Sequence, residues 1–185
     1  MFTLTNIIIA IVVLVVLWLI LSYNRLVTLS YRTDEALSDI DVQTKRRYDL
    51  IPNLVNTIKG YMVHEQGTLE KVVQARNQAI NTSKLAEKGQ AEDMLSGALK
   101  SIFALSESYP DLKANQNFLS LQQELADTED KIQASRRFYN GNVRDLNTKI
   151  SHFPSNIVAS VFGFSQRDFF GIENAQESKP VTVGF

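Results

Sequence analysis

Residues 7–21 read IIIAIVVLVVLWLIL, fifteen apolar residues with no polar side chain among them. No charged side chain precedes Arg25. As a helix, residues 2–23 would be about 33 Å long at ~1.5 Å per residue, which matches a hydrocarbon core about 30 Å thick. A helix also satisfies its own backbone hydrogen bonds, as a lone segment in lipid must. The predicted membrane-spanning residues include Ile7, Ile8, Ile9, Val13, Val16, Trp18 and Leu21.

Two other interpretations of this stretch are weaker. A cleaved signal peptide has a basic beginning and a small-residue cleavage site, whereas MFTLTN contains no Lys or Arg and LSYN follows the apolar core. The core helix of a soluble domain keeps a polar face, but apolar residues occupy every face here. Trp18 and Tyr23 lie near one end, where aromatic rings favour the headgroup layer. We therefore expect residues 1–24 to form a transmembrane anchor.

Basic residues predict the orientation of this anchor. None precedes the apolar segment, and Arg25 and Arg32 follow it closely, with a further basic group at 45–47. Loops rich in Lys and Arg stay in the cytoplasm. We expect a single-pass protein with a short N-terminus outside and its C-terminal domain in the cytoplasm.

Composition narrows the class of the remaining chain. A formal net charge of -1 argues against a nucleic-acid partner. The absence of cysteine excludes disulfides, thiolate chemistry and cysteine metal sites. Only eight Gly and four Pro occur, which favours long helices. About 160 residues follow the anchor, enough for one domain with a real core.

Helical spacing begins directly after the anchor. Apolar residues recur at steps of three and four, namely Leu26, Leu29, Ala36, Leu37, Ile40, Tyr48, Ile51, Val55, Ile58 and Met62, with Thr33 and Thr44 in the same stripe. No Gly or Pro interrupts residues 23–48, so the anchor is predicted to continue into this helix. Pro52 predicts a kink or short break near residues 49–53, after which the helix resumes to about residue 81.

Two more helices are predicted beyond a polar loop at 81–90. One covers about 90–107. The other covers about 112–152, where a coiled-coil-like stripe comprises Phe118, Leu121, Leu125, Thr128, Ile132, Ser135 and Tyr139, continued by Val143, Leu146, Ile150 and Phe153. Gly141 costs this helix about 1 kcal/mol without ending it. The predicted fold is all-α: a transmembrane helix continuous with an elongated antiparallel bundle of about four long helices over residues 25–152.

The C-terminal region divides into an apolar segment, 153–170, and a tail, 171–185. The segment is too short to span a membrane. Its aromatic residues are Phe153, Phe162, Phe164, Phe169 and Phe170. It packs on the bundle or a neighbouring subunit, or it lies in the membrane interface. The tail is predicted to be flexible, with a short extended end that a partner's sheet edge can capture.

Two basic clusters with neighbouring aromatic residues are candidate interaction sites. They are Lys45, Arg46, Arg47 and Tyr48, and Arg136, Arg137 and Tyr139. Such clusters bind anionic lipid or an acidic partner, or they form ion pairs within a bundle or between subunits. The first cluster begins some 22 residues beyond the span, about 30 Å along a helix and several Debye lengths away. That distance favours ion pairs.

The sequence offers only weak candidates for metal-binding or catalytic motifs. His64-Glu65 begins like a zinc-protease helix, but Thr68 stands where the second histidine belongs. The carboxylates of Asp34, Glu35, Asp39 and Asp41 spread over more than one helix face and fit a solvated ion-pair surface. The sequence has no phosphate-binding glycine loop and no nucleophile elbow. We predict no enzyme, and no catalytic, cofactor or metal site.

Several blocks of sequence resemble the LemA family. They are IDVQTKRRYDLIPNLV at 40–55, KGY at 59–61, HE at 64–65, YPDLKANQNF at 109–118, RRFYN at 136–140 and FP at 153–154. The resemblance covers nearly the whole chain in order. It implies a bacterial membrane-anchored protein with an elongated, helical cytoplasmic bundle and no defined catalytic activity. Some members are linked with membrane organisation, including magnetosome-associated relatives.

The leading functional expectation is a non-enzymatic scaffolding protein of the bacterial cytoplasmic membrane that acts as a homo-oligomer. Its partners are the lipid bilayer and other copies of itself, because a thin bundle leaves apolar surface for self-association. One alternative is a regulatory adaptor that presents its bundle or tail to a membrane protease or a stress-response protein. Another is membrane remodelling by the aromatic C-terminal segment.

Overall fold

A computed structural model describes residues 4–171 of the chain. Its six helices are α1 (Leu4–Lys59), α2 (Gln66–Asn81), α3 (Leu85–Ser106), α4 (Pro110–Lys113), α5 (Gln116–Ser151) and α6 (Ser155–Val161). No strand occurs among residues 4–171, so the predicted all-α class is confirmed. Apart from Gly171, the predicted tail lies outside the described residues.

Helix α1 is continuous from the apolar segment to Lys59. Of the predicted kink or short break near residues 49–53, the break is wrong, because α1 passes through Pro52, and the kink stays a prediction. Proline has no N–H to donate to the carbonyl four residues earlier, which is that of Tyr48. Arg76 on α2 replaces the missing donor: its Nε donates to the Tyr48 carbonyl at 2.7 Å. The helix ends instead at Lys59, and residues 60–65 connect it to α2.

Two other boundaries differ from the predicted ones. The loop expected at 81–90 is confined to residues 82–84, and α3 begins at Leu85. The helix expected from residue 112 is divided into α4 and α5. Asn115 caps the start of α5, since its Oδ1 accepts from the backbone N–H groups of Asn117 at 2.9 Å and Phe118 at 3.1 Å. Helix α5 continues through Gly141, as predicted.

The described chain forms two compact units. Unit 1 comprises residues 4–37 and 138–167, and unit 2 comprises residues 38–137 and 168–171. The core of unit 1 combines Leu26 and Leu29 of α1 with Leu146 of α5 and with Val158 and Ala159 of α6.

The core of unit 2 draws on four long helices, α1, α2, α3 and α5. Its buried side chains include Ile51, Leu54, Ile58, Met62, Val72, Leu95, Ile102, Phe118 and Leu125. Thr33 and Thr44 are buried in the α1 stripe, as predicted. Phe153 was expected to extend the α5 stripe, but it is 80% exposed because α5 ends at Ser151.

Candidate functional site

Unit 2 buries a charged side chain among its helices. Arg47 on α1 is 1% exposed. Its Nη2 donates to Oε2 of Glu92 on α3, and its Nη1 donates to Oε2 of Glu129 on α5. The same Nη1 donates to the hydroxyl of Ser96 on α3 at 2.8 Å. One guanidinium therefore joins three helices.

The two carboxylates have further hydrogen bonds. The hydroxyl of Tyr48 donates to Oε1 of Glu92. Glu129 accepts from the Ser96 hydroxyl at 2.9 Å and from Nε2 of Gln133 at 3.0 Å. We call Arg47, Tyr48, Glu92, Ser96 and Glu129 the arginine cluster. Because nearly every group in it is paired, the cluster can hold helices together at a fixed register.

Burial shifts the pKa values of Arg47 and Tyr48, the two members of the cluster that carry a titratable proton at neutral pH. It lowers the pKa of the Arg47 guanidinium, a shift that the nearby Glu129 carboxylate opposes. It raises the pKa of the Tyr48 phenol, and the positive charge of Arg47 opposes that shift. Arginine stays charged in proteins. The cluster is therefore an ion-pair network at neutral pH, with Tyr48 as a neutral donor.

The ion pairs of Arg47 with Glu92 and Glu129 agree with the preferred interpretation of its cluster, whereas the complete burial of Arg47 was not predicted. The available signal was its spacing: Arg47 lies three residues after the buried Thr44 and four before the buried Ile51. It thus lies on the apolar stripe of α1. Glu92 carries the same signal on α3, since it precedes the buried Leu95 by three residues.

Two other ion pairs of unit 2 have a mostly buried basic side chain. Lys88 Nζ is 2.6 Å from Oδ1 of Asp41, and Arg136 Nη1 is 2.6 Å from Oδ1 of Asp93. The Arg136 guanidinium also lies over the ring of Phe170, 5.2 Å from its centroid. The buried Phe170 thus joins the end of the described chain to unit 2.

Gly89 and Gly171 allow this end of the chain to approach α3. A Cβ added to Gly89 would lie 2.3 Å from the Cα of Gly171, too close for any real contact. Gly171 has a φ of +72°, a conformation that favours glycine. A polar run with Gly89 in it was interpreted as a loop, whereas the missing side chain makes room for a neighbouring backbone.

The other predicted interaction residues are dispersed. Lys45 and Arg46 are exposed and pair with carboxylates at 3.1 and 3.5 Å, which are surface ion pairs of small energetic weight. Arg137 is exposed, Tyr139 is buried and Phe169 is half-buried. Their role in binding stays a prediction.

The histidines and acidic residues do not converge. His64 and His152 are both exposed. Asp34 pairs with Arg167 at 3.2 Å in unit 1, while Asp41 belongs to unit 2. Among residues 4–171, no group of three His, Asp or Glu side chains could hold a metal ion.

In unit 1, the first part of α1 exposes its apolar side chains. The predicted span residues Ile7, Ile8, Ile9, Val13, Val16, Trp18 and Leu21 are all exposed. Helix α1 is long and apolar enough to cross a membrane, with a mean hydropathy of 3.1 in its most apolar window.

Aromatic rings meet where this apolar segment ends. The centroid of Tyr23 is 4.8 Å from that of Phe162 and 5.9 Å from that of Phe164. Phe162 remains 58% exposed despite this contact, and Phe164 is half-buried. The segment after α5 therefore packs on α1 at the level of Tyr23.

A groove of about 620 Å³ lies in unit 2, between the end of α1 and α2. It is lined by Val55, Lys59, Met62, Val63, Gln66, Leu69, Glu70, Val73 and Gln74. Its lining is mainly apolar, with one positive and one negative exposed side chain.

Comparison with known proteins identifies the family. The LemA family profile matches residues 36–185. Protein LemA of Metamycoplasma hominis is 35% identical over 141 residues, which cover 74% of this chain and 63% of that protein. Magnetosome protein MamQ 2 of Paramagnetospirillum magneticum is 23% identical over 190 residues, covering 89% of this chain and 70% of that protein.

A further relative is magnetosome protein MamQ of Magnetospirillum gryphiswaldense, 22% identical over 190 residues, with 89% of this chain and 70% of that protein covered. The chain thus spans less than two thirds of the length of the Metamycoplasma relative. None of these relatives is named as an enzyme. The long apolar helix and the magnetosome relatives fit a membrane protein. Because the profile covers most of the sequence, the chain belongs to the LemA family.

Proposed function

We propose that this protein is a non-enzymatic scaffold of the bacterial cytoplasmic membrane that acts as a homo-oligomer in membrane organisation. The observation that supports it most is the continuity of α1, which carries the exposed apolar segment and also core residues of unit 2. Helix α1 connects the apolar segment to unit 2 without a helix break. It suits a protein that positions a body at a membrane.

The proposed orientation places unit 2 in the cytoplasm, in line with the basic residues Arg25 and Arg32 after the apolar segment. The cysteine-free sequence permits a clean test. A Val42→Cys variant of the full chain, exposed in unit 2, is treated with a membrane-impermeant maleimide. We expect labelling only after the cells are lysed. Labelling in intact cells would reverse the orientation.

The groove of unit 2 is the proposed self-association surface. Its apolar residues Val55, Val63 and Val73 lie beside Lys59 and Glu70, which carry opposite charges. In a two-fold interface the same patch meets itself, so Lys59 of each copy can pair with Glu70 of the other. A patch with both charges and an apolar floor is therefore self-complementary.

Mass measurement of the full-length protein in nanodiscs tests this assembly. We expect an oligomer for the unaltered chain and a loss of assembly for Val63→Glu. Val42→Glu is the matched control, because both valines are 59% exposed in unit 2 and only Val63 lines the groove. A strictly monomeric unaltered protein would overturn the homo-oligomer. Equal effects of the two variants would remove the groove from the proposal.

A further inference from the structure

Helix α6 and its flanks expose an apolar surface in unit 1. Phe153 is 80% exposed, Ile157 54%, Val161 72% and Phe162 58%. We call these four side chains the α6 surface. Ile157 and Val161 are four residues apart and so share one face of the helix. Such a patch of exposed large apolar side chains indicates a surface that contacts an apolar partner or membrane.

The opposite face of α6 fixes its position on α1. Val158 and Ala159 are buried against Leu26 and Leu29. Two hydrogen bonds hold the start of the helix, from the Ser155 hydroxyl to the carbonyls of Lys149 at 2.7 Å and His152 at 2.9 Å. The α6 surface is therefore presented outward by a docked helix.

The level of this surface along α1 identifies the neighbour. Leu26 and Leu29 lie about 4.5 and 9 Å beyond Tyr23 along the helix axis at ~1.5 Å per residue. Tyr23 is the last aromatic residue of the apolar segment. The headgroup layer occupies about 5–8 Å on each side of the hydrocarbon core. Helix α6 is therefore level with the headgroups of the leaflet in which α1 ends.

The charged groups around α6 suit that layer. Arg25 is exposed on α1 between Tyr23 and Leu26, and Lys149 lies in the last turn of α5. Basic side chains at this depth attract anionic headgroups. The acidic Asp34 lies further along α1 and is paired with Arg167 at 3.2 Å.

We propose that the α6 surface inserts into the boundary between headgroups and acyl chains of this leaflet, as a second membrane contact beside the anchor. Lipid is the occupant because Phe162 of the α6 surface contacts Tyr23, where the exposed apolar segment of α1 ends. An apolar helix face buried to ~5–10 Å is the mode of interfacial helices. The proposal rests on the membrane anchoring proposed above.

Site-directed spin labelling of the full chain tests it. Single cysteines replace Val161, Ile157, Leu14 or Val42, and each variant is reconstituted at high dilution in vesicles of phosphatidylethanolamine and phosphatidylglycerol. Collision rates are measured with oxygen, which concentrates in lipid, and with a water-soluble nickel complex. Leu14 reports the anchor, and Val42 is an exposed valine of unit 2 outside the groove.

We expect an oxygen-to-nickel ratio for Val161→Cys and Ile157→Cys several-fold above that of Val42→Cys and below that of Leu14→Cys. A ratio equal to that of Val42→Cys, with Leu14→Cys still in lipid, would overturn the inference and leave the anchor intact. Labels at 157 and 161 shielded from both reagents would also overturn it, because protein would then cover the surface. Nickel access at Leu14→Cys would instead refute the anchor itself.

Discussion

The two units reverse the usual rule of burial in opposite ways. Unit 1 exposes Val13, Val16 and Leu21, side chains that most proteins bury. Unit 2 buries Arg47, a side chain that most proteins expose. Apolar exposure is stable only where the surroundings are apolar, and buried charge is stable only where it is paired. Lipid around the first part of α1 thus accounts for the exposed apolar side chains of unit 1. The pairing with two glutamates accounts for the buried Arg47 of unit 2.

The largest expected effect comes from breaking the arginine cluster. Arg47→Met leaves Glu92 and part of Glu129 as buried, unpaired carboxylates, so we expect unfolding free energy to fall by about 3–5 kcal/mol. Thermal and chemical unfolding followed by circular dichroism measures it. The adjacent Arg46→Met is the control, since its pair with Glu124 is exposed and worth at most about 1 kcal/mol.

A triple variant sharpens this test. Replacing Glu92 and Glu129 by uncharged residues of similar size together with Arg47→Met removes the stranded charges, so most of the lost stability should return. If the triple variant is as unstable as the single one, then lost packing rather than unpaired charge explains the effect.

The converse change places a charge in unit 1. Leu14→Arg puts a guanidinium near the centre of the apolar segment, which costs about 2.5–3.5 kcal/mol of membrane insertion. We expect a lower inserted fraction in a flotation assay. Leu4→Arg should be milder, because a side chain near the helix end can reach the interface. Equal insertion of both variants would contradict a span centred near Leu14.

The next effect concerns the contact of α3 with Gly171 in unit 2. Gly89→Ala forces its new methyl group against the backbone of Gly171, and we expect a loss of about 1–3 kcal/mol and faster proteolysis near Phe170. Gly97→Ala on the same helix has nothing within 4 Å and should instead gain up to about 1 kcal/mol. If both variants change the unfolding free energy in the same direction, the close approach of Gly89 to Gly171 is contradicted.

Pro52 and Arg76 should be energetically coupled. Arg76→Met leaves the Tyr48 carbonyl without a donor and should cost about 1–2 kcal/mol. In a Pro52→Ala background the new backbone N–H can donate to that carbonyl, so the same substitution should cost less. A double-mutant cycle in unfolding free energy measures the difference. If the effects of the two substitutions on unfolding free energy simply add, Arg76 does not act through the Tyr48 carbonyl.

The smallest expected effect is a pH dependence. Burial raises the pKa of Tyr48, so the folded state keeps the phenol proton longer than the unfolded state, which releases it near pH 10. This contribution is complete below pH 10 and is lost as pH rises through the folded-state value, at most about 1.4 kcal/mol per pH unit. Tyr48→Phe should reduce the fall of unfolding free energy with pH above pH 10. An unchanged fall in this variant would refute the assignment of the pH dependence to Tyr48.

Helical spacing predicted most of the fold because it records which face meets a core. Leu26, Ile40, Ile51 and Ile58 are buried as their steps of three and four require. Gly141 was tolerated for the same reason, since the flanking stripe outweighs one glycine. Periodicity carries no information on distant partners, so the effect of Pro52 was overestimated: its compensation comes from Arg76 on another helix.

The arginine cluster was harder to predict than the anchor. Fifteen apolar residues in a row admit few alternatives, whereas Arg47 stands next to Lys45 and Arg46 and shares their charge. Only its register with Thr44 and Ile51 distinguishes it, and Glu92 and Glu129 reach it through tertiary packing. The break at 60–65 had a local signal, the basic Lys59 followed by Gly60, which typically ends a helix.

The separation of Arg47 from its partners in the chain has a consequence for biosynthesis. Glu92 follows Arg47 by 45 residues and Glu129 by 82. A ribosome thus completes the apolar segment long before it has made the second carboxylate. Until then the network around Arg47 cannot form, so we expect insertion of the apolar segment to precede closure of unit 2.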